Sequence, residues 1–215
     1  MSDIGNLLGL APVVPVVVLD DAKTAVPLAR ALVAGGIPAI EVTLRTPVAL
    51  EAIRAIAGEV EGAVVGAGTV LTPRQLADSA AAGARFAVSP GATPTLLDAD
   101  RGSPIPLLPG SATPSEVMAL LERGFRYLKL FPAEAVGGVA LLKSMASPLP
   151  AARFCPTGGI GPDNAPDYLA LPNVVCVGGS WLAPADAVRE GAWDRITALA
   201  KAAAALPRAS RGPGE

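Results

Sequence analysis

The chain has 215 residues, with 17 Lys plus Arg against 19 Asp plus Glu, no histidine, and a formal net charge of −2. That length suits one domain with a full core, and about 200 to 250 residues is the usual size of a single eight-fold β/α barrel. A composition that is 51% hydrophobic and 17% charged, with a mean hydropathy of +0.47, excludes a disordered chain, and near-zero charge with no Lys/Arg run excludes a nucleic-acid surface.

The chain opens on its longest uncharged stretch, residues 4–19, which Pro12 and Pro15 interrupt. It falls short of the roughly 20 apolar residues a membrane helix needs, so no span is expected. Asp3 and the lack of a cationic start do not read as a signal peptide, and a cytoplasmic home is expected. Short runs rich in Val, Ile and Leu then alternate with Ala-rich, helix-like stretches, as when parallel strands are joined by crossover helices. The strands are predicted at 13–19, 39–44, 63–66, 86–89, 105–108, 127–131, 153–156 and 174–177. Helices are predicted at 22–34, 47–58, 73–82, 94–99, 114–122, 139–145 and 164–169, and a last one at 194–206. Thr72-Pro73 and Thr113-Pro114 each supply a capping hydroxyl followed by a proline already bent for a helix, and Thr113 with Glu116 fits a capping box.

Eight such units close most naturally as a barrel. The rival, a doubly wound open sheet, calls for a G-x-G-x-x-G turn after the first strand, where Asp20 and Asp21 stand instead; Gly66-Ala67-Gly68 follows the third. The expected fold is therefore α/β, a single (β/α)8 TIM barrel over residues 1–207, with 208–215 a flexible tail of Pro, Gly, Ser and Arg.

Without histidine, and with Cys155 and Cys176 outside any CxxC pair, the usual zinc ligand sets cannot be assembled, so no metal is expected and acid-base chemistry falls to Asp, Glu, Lys, Tyr or Cys. In a barrel the C-terminal strand ends form the active face. Lys129 places a cation inside the strand Tyr127-Leu128-Lys129-Leu130-Phe131. A desolvated lysine tends to lose its charge, and the neutral amine attacks carbonyls to form a Schiff base; the alternative is a lysine snorkelling to solvent or held in a structural ion pair. Glu41 is equally out of place in the second strand, and period-2 geometry puts Glu41, Thr43 and Arg45 on one face. Both residues lie on even-numbered strands, which fill the same interior layer, so they are expected to meet near the axis, either as a reacting pair or as a mere salt bridge. Arg45 suits a carboxylate at the mouth, unless it only caps a loop. Thr157-Gly158-Gly159 and Gly178-Gly179-Ser180, after the seventh and eighth strands, stand where many barrels bind phosphate.

Taken in order, Glu41-Val42-Thr43-Leu44-Arg45-Thr46, Gly66-Ala67-Gly68-Thr69-Val70, Ser89-Pro90-Gly91, Lys129-Leu130-Phe131-Pro132-Ala133-Glu134, Cys155-Pro156-Thr157-Gly158-Gly159-Ile160 and Gly178-Gly179-Ser180-Trp181-Leu182 resemble the 2-keto-3-deoxy-6-phosphogluconate (KDPG) aldolase family, from about Pro15 to Leu206. The resemblance implies a class I aldolase of the Entner-Doudoroff pathway, a metal-independent homotrimeric (β/α)8 barrel. It would cleave a phosphorylated keto acid, KDPG, to pyruvate and glyceraldehyde 3-phosphate, and act on 4-hydroxy-2-oxoglutarate as well. It implies Lys129 as the Schiff-base lysine, Glu41 as general acid/base, Arg45 and Thr69 on the pyruvate carboxylate, Pro90, Phe131 and Thr157 lining the site, and Gly158, Gly159, Gly179 and Ser180 around the phosphate. Two readings compete with it: an aldolase for the C4 epimer, 2-keto-3-deoxy-6-phosphogalactonate, and a non-catalytic barrel that binds phosphometabolites.

Overall fold

Strand and helix alternate along the whole of the computed structural model, which describes residues 4–209. A short helix α1 (Ile4–Leu8) precedes β1 (Val13–Val17), α2 (Ala25–Ala34), β2 (Ala39–Thr43), α3 (Ala49–Glu59), β3 (Val64–Gly68) and α4 (Pro73–Ala81). There follow β4 (Ala87–Val88), α5 (Pro94–Asp100), β5 (Leu107–Leu108), β6 (Gly110–Ser111), α6 (Pro114–Glu122), β7 (Tyr127–Leu130) and α7 (Gly138–Ala146). The chain ends through β8 (Arg153–Pro156), α8 (Ala165–Leu169), β9 (Val177–Gly179), α9 (Ala185–Glu190) and α10 (Trp193–Ala204).

Every strand pair is parallel, in the orders β5-β4-β3-β2-β1-β9 and β6-β7-β8. Pro109, which has no N–H to give a ladder, parts β5 from β6, so these two short strands are halves of one barrel position. Bridges from Phe154 to Val174 and from Thr157 to Gly178 join β8 to β9 and close the ring at eight positions. This is the (β/α)8 barrel. Strands buried on both faces explain the unbroken apolar runs. Outward side chains such as Val13, Ile40, Val42, Leu128 and Phe154 pack beneath the helices, while inward ones, among them Val14, Ala39, Phe86, Val88 and Leu108, fill the barrel. Leu7 and Leu8 of α1 join that inner cluster and plug its lower end, so a ligand reaches the axis from the C-terminal face.

Sequence and structure differ in places that bear on the site. The eighth strand begins at Val177, not at residue 174, because Val13, Val14 and Pro15 pair with Val177, Gly178 and Gly179. Gly66, Ala67 and Gly68 likewise lie within β3 rather than after it, in register with β2. Glycine's low strand propensity hides both segments from a composition-based reading. The predicted helix at 22–34 starts as a 3-10 turn, Ala22–Thr24, while α1 and α9 are too short to show a period. In the expected flexible tail at 208–215, Arg208 donates to the Gly9 carbonyl (3.0 Å) and the Ala209 N–H to that of Leu169 (2.9 Å), while 210–215 lie outside the described residues. Among the described residues no helix is long and apolar enough to cross a membrane.

Three successive loops at the active face end in the same device. Thr72, Thr93 and Thr113 each precede a proline and accept the backbone N–H three residues on, from Gln75 (3.2 Å), Leu96 (3.3 Å) and Glu116 (3.3 Å). At Thr113 the box is complete, since the Glu116 carboxylate accepts the Thr113 N–H at 2.8 Å. Thr113→Ala is expected to lower stability by about 1 kcal/mol. Urea titration should show an earlier midpoint with an unchanged slope, and an unmoved midpoint would contradict the cap's role.

Candidate active site

The alternation of β2 sends Ile40 and Val42 outward to the helices and leaves Ala39, Glu41 and Thr43 facing the axis. In β7 the same alternation turns Leu128 and Leu130 outward and Lys129 inward. The two charged side chains meet there: Lys129 Nζ donates to Glu41 Oε1 at 3.3 Å, with only 4% of the lysine and 3% of the glutamate exposed. The even-strand layer foreseen from the sequence thus brings them together.

Room for this pair is made by absent side chains. A Cβ on Gly68 would lie 2.6 Å from Glu41 Cγ and 2.8 Å from its Cδ, so any other residue at this position of β3 would evict the carboxylate. Gly110, in register with Lys129, lets the Pro90–Gly91 backbone approach; a Cβ there would stand 2.6 Å from the Gly91 nitrogen. Cys155 is the register partner of Lys129 on the other side. Lys129 Nζ sits 5.4 Å from the centre of the half-buried Phe131 ring, within cation–π range. Thr43 Oγ1 donates to the Val17 carbonyl (3.0 Å), tying β2 to β1 one step above Glu41.

At the mouth, Arg45 is exposed and its Nε donates to Thr69 Oγ1 at 3.1 Å. Thr69 is the one non-glycine residue at positive φ among the described residues (φ 58). Such a conformation costs about 1–3 kcal/mol for a non-glycine side chain and persists where neighbours over-determine it. Those neighbours are the bonds from Leu44 N–H to Gly68 O (2.8 Å) and from Val70 N–H to Val88 O (3.0 Å). Among the described residues Arg45 has no carboxylate partner.

The two glycine pairs stand on adjoining barrel positions. Thr157 is buried, donates its N–H to Leu130 O (2.9 Å) and bridges to Gly178, where a Cβ would lie 3.0 Å from Thr157 Cγ2. Gly158 and Gly159 follow at φ 105 and 77. Gly178 and Gly179 are strand residues, contrary to the loop placement expected from sequence, and the Trp181 ring occupies the space over Gly179. Trp181 is half-buried and packs against the core cluster, and Ser180 is exposed beside it.

Three contributors escaped the sequence reading. Asn164 holds the Gly159–Gly161 turn, accepting from Gly161 N–H (2.8 Å) and donating to Gly159 O (3.1 Å). Glu134 and Tyr168 form a hydrogen bond behind the same turn, in which the wholly buried phenol donates to Glu134 Oε1. A Tyr on a five-residue helix gives no periodic signal, though Glu134 closes the motif that begins at Lys129. A cavity of about 710 Å³ lies at the opposite, N-terminal face, lined by Ile4, Leu107, Tyr127 and Arg153, and has no part in this constellation.

Residues 4–199 match the family model of KDPG and KHG aldolase. A 2-dehydro-3-deoxy-phosphogluconate aldolase of Pseudoalteromonas atlantica is 58% identical over 93% of this chain and 93% of its own. A KHG/KDPG aldolase of Escherichia coli is 57% identical over 92% of this chain and 93% of its own. Among solved structures, the KDPG aldolase of Legionella pneumophila, with pyruvate captured at low pH as a covalent carbinolamine intermediate, superposes with a TM-score of 0.93 at 48% identity, covering 95% of this chain and 99% of that one.

The Tyr168 phenol is held well above its ordinary range, first by burial and then by the hydrogen bond to Glu134 and its charge. A raised acid keeps its proton in the fold while the unfolded chain gives it up, so the stability it lends is full below about pH 10 and is lost as pH rises beyond. Denaturation midpoints of the unaltered chain are expected to fall more steeply between about pH 9 and 11 than those of Tyr168→Phe. Equal slopes would contradict this assignment.

Proposed function

This chain belongs to the KDPG and KHG aldolase family, and from that premise we propose that Lys129 and Glu41 carry its reaction. It is a class I aldolase, a carbon-carbon lyase that splits KDPG into pyruvate and glyceraldehyde 3-phosphate. The single observation that carries the residue assignment is the buried contact of Lys129 Nζ with Glu41 Oε1.

Glu41, at 3.3 Å, takes a proton from Nζ and leaves the lysine an electron pair with which to add to the C2 ketone. Glu41 then protonates the departing hydroxyl of the carbinolamine, and water leaves as the protonated imine forms. The imine nitrogen draws the electrons of the C3–C4 bond while Glu41 removes the C4 hydroxyl proton, so the aldehyde departs and an enamine remains. Return of that proton to C3 and addition of water to the imine release pyruvate and restore Lys129. Arg45 and Thr69, linked to each other at the mouth, hold the pyruvate carboxylate, with the guanidinium supplying the paired donors that suit it. Pro90, Phe131 and Thr157 line the path, and Gly158, Gly159, Gly179 and Ser180 receive the phosphate.

The electron sink is the imine itself, so the reaction is read as metal-independent. The chain has no histidine, and among the described residues no cluster of three His, Cys, Asp or Glu side chains is arranged to hold a metal. The KHG half of the family name supports cleavage of 4-hydroxy-2-oxoglutarate to pyruvate and glyoxylate as a second activity. Cys155 and Cys176, both buried, suit the reducing cytoplasm in which this reading places the enzyme. This reading also takes the chain as a homotrimer, as the family resemblance implies.

With KDPG as substrate, Lys129→Met is expected to abolish measurable turnover, and Glu41→Gln to lower kcat by about 10²–10⁴-fold with a smaller change in KM. Arg45→Ala should instead raise KM, and incubation with a chelator should leave the rate unchanged. Turnover retained by folded Lys129→Met would overturn the proposal.

A further inference from the structure

The turn that carries Gly158 and Gly159 is gripped from two sides by residues other than the catalytic pair. On one side stands Glu134: its N–H donates to Gly158 O (3.1 Å), and its stem fills the space a side chain on Gly159 would need, 2.7 Å from Glu134 Cβ and 2.6 Å from Cγ. On the other side Asn164 binds both Gly159 O and Gly161 N–H. Tyr168, wholly buried on α8, draws the Glu134 carboxylate away by donating to Oε1. Gly138, at φ 53, leaves room for that bond; a Cβ there would lie 2.7 Å from Tyr168 Oη and 3.1 Å from Glu134 Oε1.

Charge makes the arrangement informative, because a carboxylate beside a loop that receives a phosphate dianion repels it. Here the phenol anchors the carboxylate, and no carboxylate oxygen lies within 4 Å of the Gly159 Cβ position. The methylene stem, not the charge, faces the turn. Resting on the reading that Gly158, Gly159, Gly179 and Ser180 surround the phosphate, we propose that Glu134, held by Tyr168, is a positioning residue that shapes the turn for a phosphate monoester and so favours phosphorylated keto acids.

The test compares KDPG, which has the phosphate, with pyruvate, which lacks it. In Tyr168→Phe the KM for KDPG is expected to rise about tenfold with kcat within about twofold, while the rate of borohydride trapping by pyruvate stays within about twofold. Glu134→Ala should behave alike, and Glu134→Gln, which keeps the stem and an acceptor for the phenol, should recover most of the affinity. An unchanged KM in both Tyr168→Phe and Glu134→Ala overturns the proposal, as does an equal loss in pyruvate trapping, which a merely structural role would give. Ser180→Asp separates the two levels. If it raises the KM for KDPG while Tyr168→Phe and Glu134→Ala do not, the positioning role alone fails; if it leaves KM unchanged, the phosphate locus fails and the positioning role with it.

Discussion

An ammonium and a carboxylate buried side by side in an apolar barrel set the terms for the rest of the structure. Withdrawing either ion from water costs several kcal/mol, and only a close, well-oriented partner offsets it. Lys129 and Glu41 come from strands 88 residues apart in sequence and meet at 3.3 Å. Neither is tolerable alone at 3–4% exposure, so the closure of the barrel and the juxtaposition of the pair are one condition. The same closeness is chemically useful. A proton passed from Nζ to the carboxylate neutralises both groups at once, so the nucleophile is released without sending a proton to solvent.

Much of the surrounding sequence is there to make space. Gly68 admits the Glu41 carboxylate, Gly110 admits the Pro90 backbone, and Gly178 admits the Thr157 side chain. Each sits inside a strand, where glycine is unfavourable, and each faces an atom of the site. Thr69 holds a left-handed backbone and in return presents its hydroxyl to Arg45. Stability is given up at these positions in favour of a cavity of fixed shape, and the outer shell of Ala-rich helices over Val, Ile and Leu supplies what is lost.

The sequence shows the architecture because parallel strands buried on both faces need apolar runs, and eight of them separated by helical stretches leave little choice of fold. Lys129 and Glu41 were visible for the same reason: a charge within such a run is conspicuous, even though a snorkelling lysine or a mere ion pair also accounts for it, and period-2 alternation fixes the face it occupies. What stayed hidden is local. Gly66 to Gly68 and Gly178 to Gly179 read as loops because glycine signals a turn, whereas here their ladder partners in β2 and β1 impose the strand. The Thr69 φ of 58 has no signature in a threonine. The bond between Glu134 and Tyr168 joins residues 34 apart, and only the assembled fold brings an exposed carboxylate to a buried phenol.

The most direct measurement is borohydride reduction of the protein in the presence of pyruvate, followed by tryptic digestion and mass spectrometry. Alkylated Lys129 resists trypsin, so a pyruvate-derived adduct is expected on the uncleaved peptide 127–143. An adduct on another lysine, or none from the folded protein, would contradict Lys129 as the imine-forming residue.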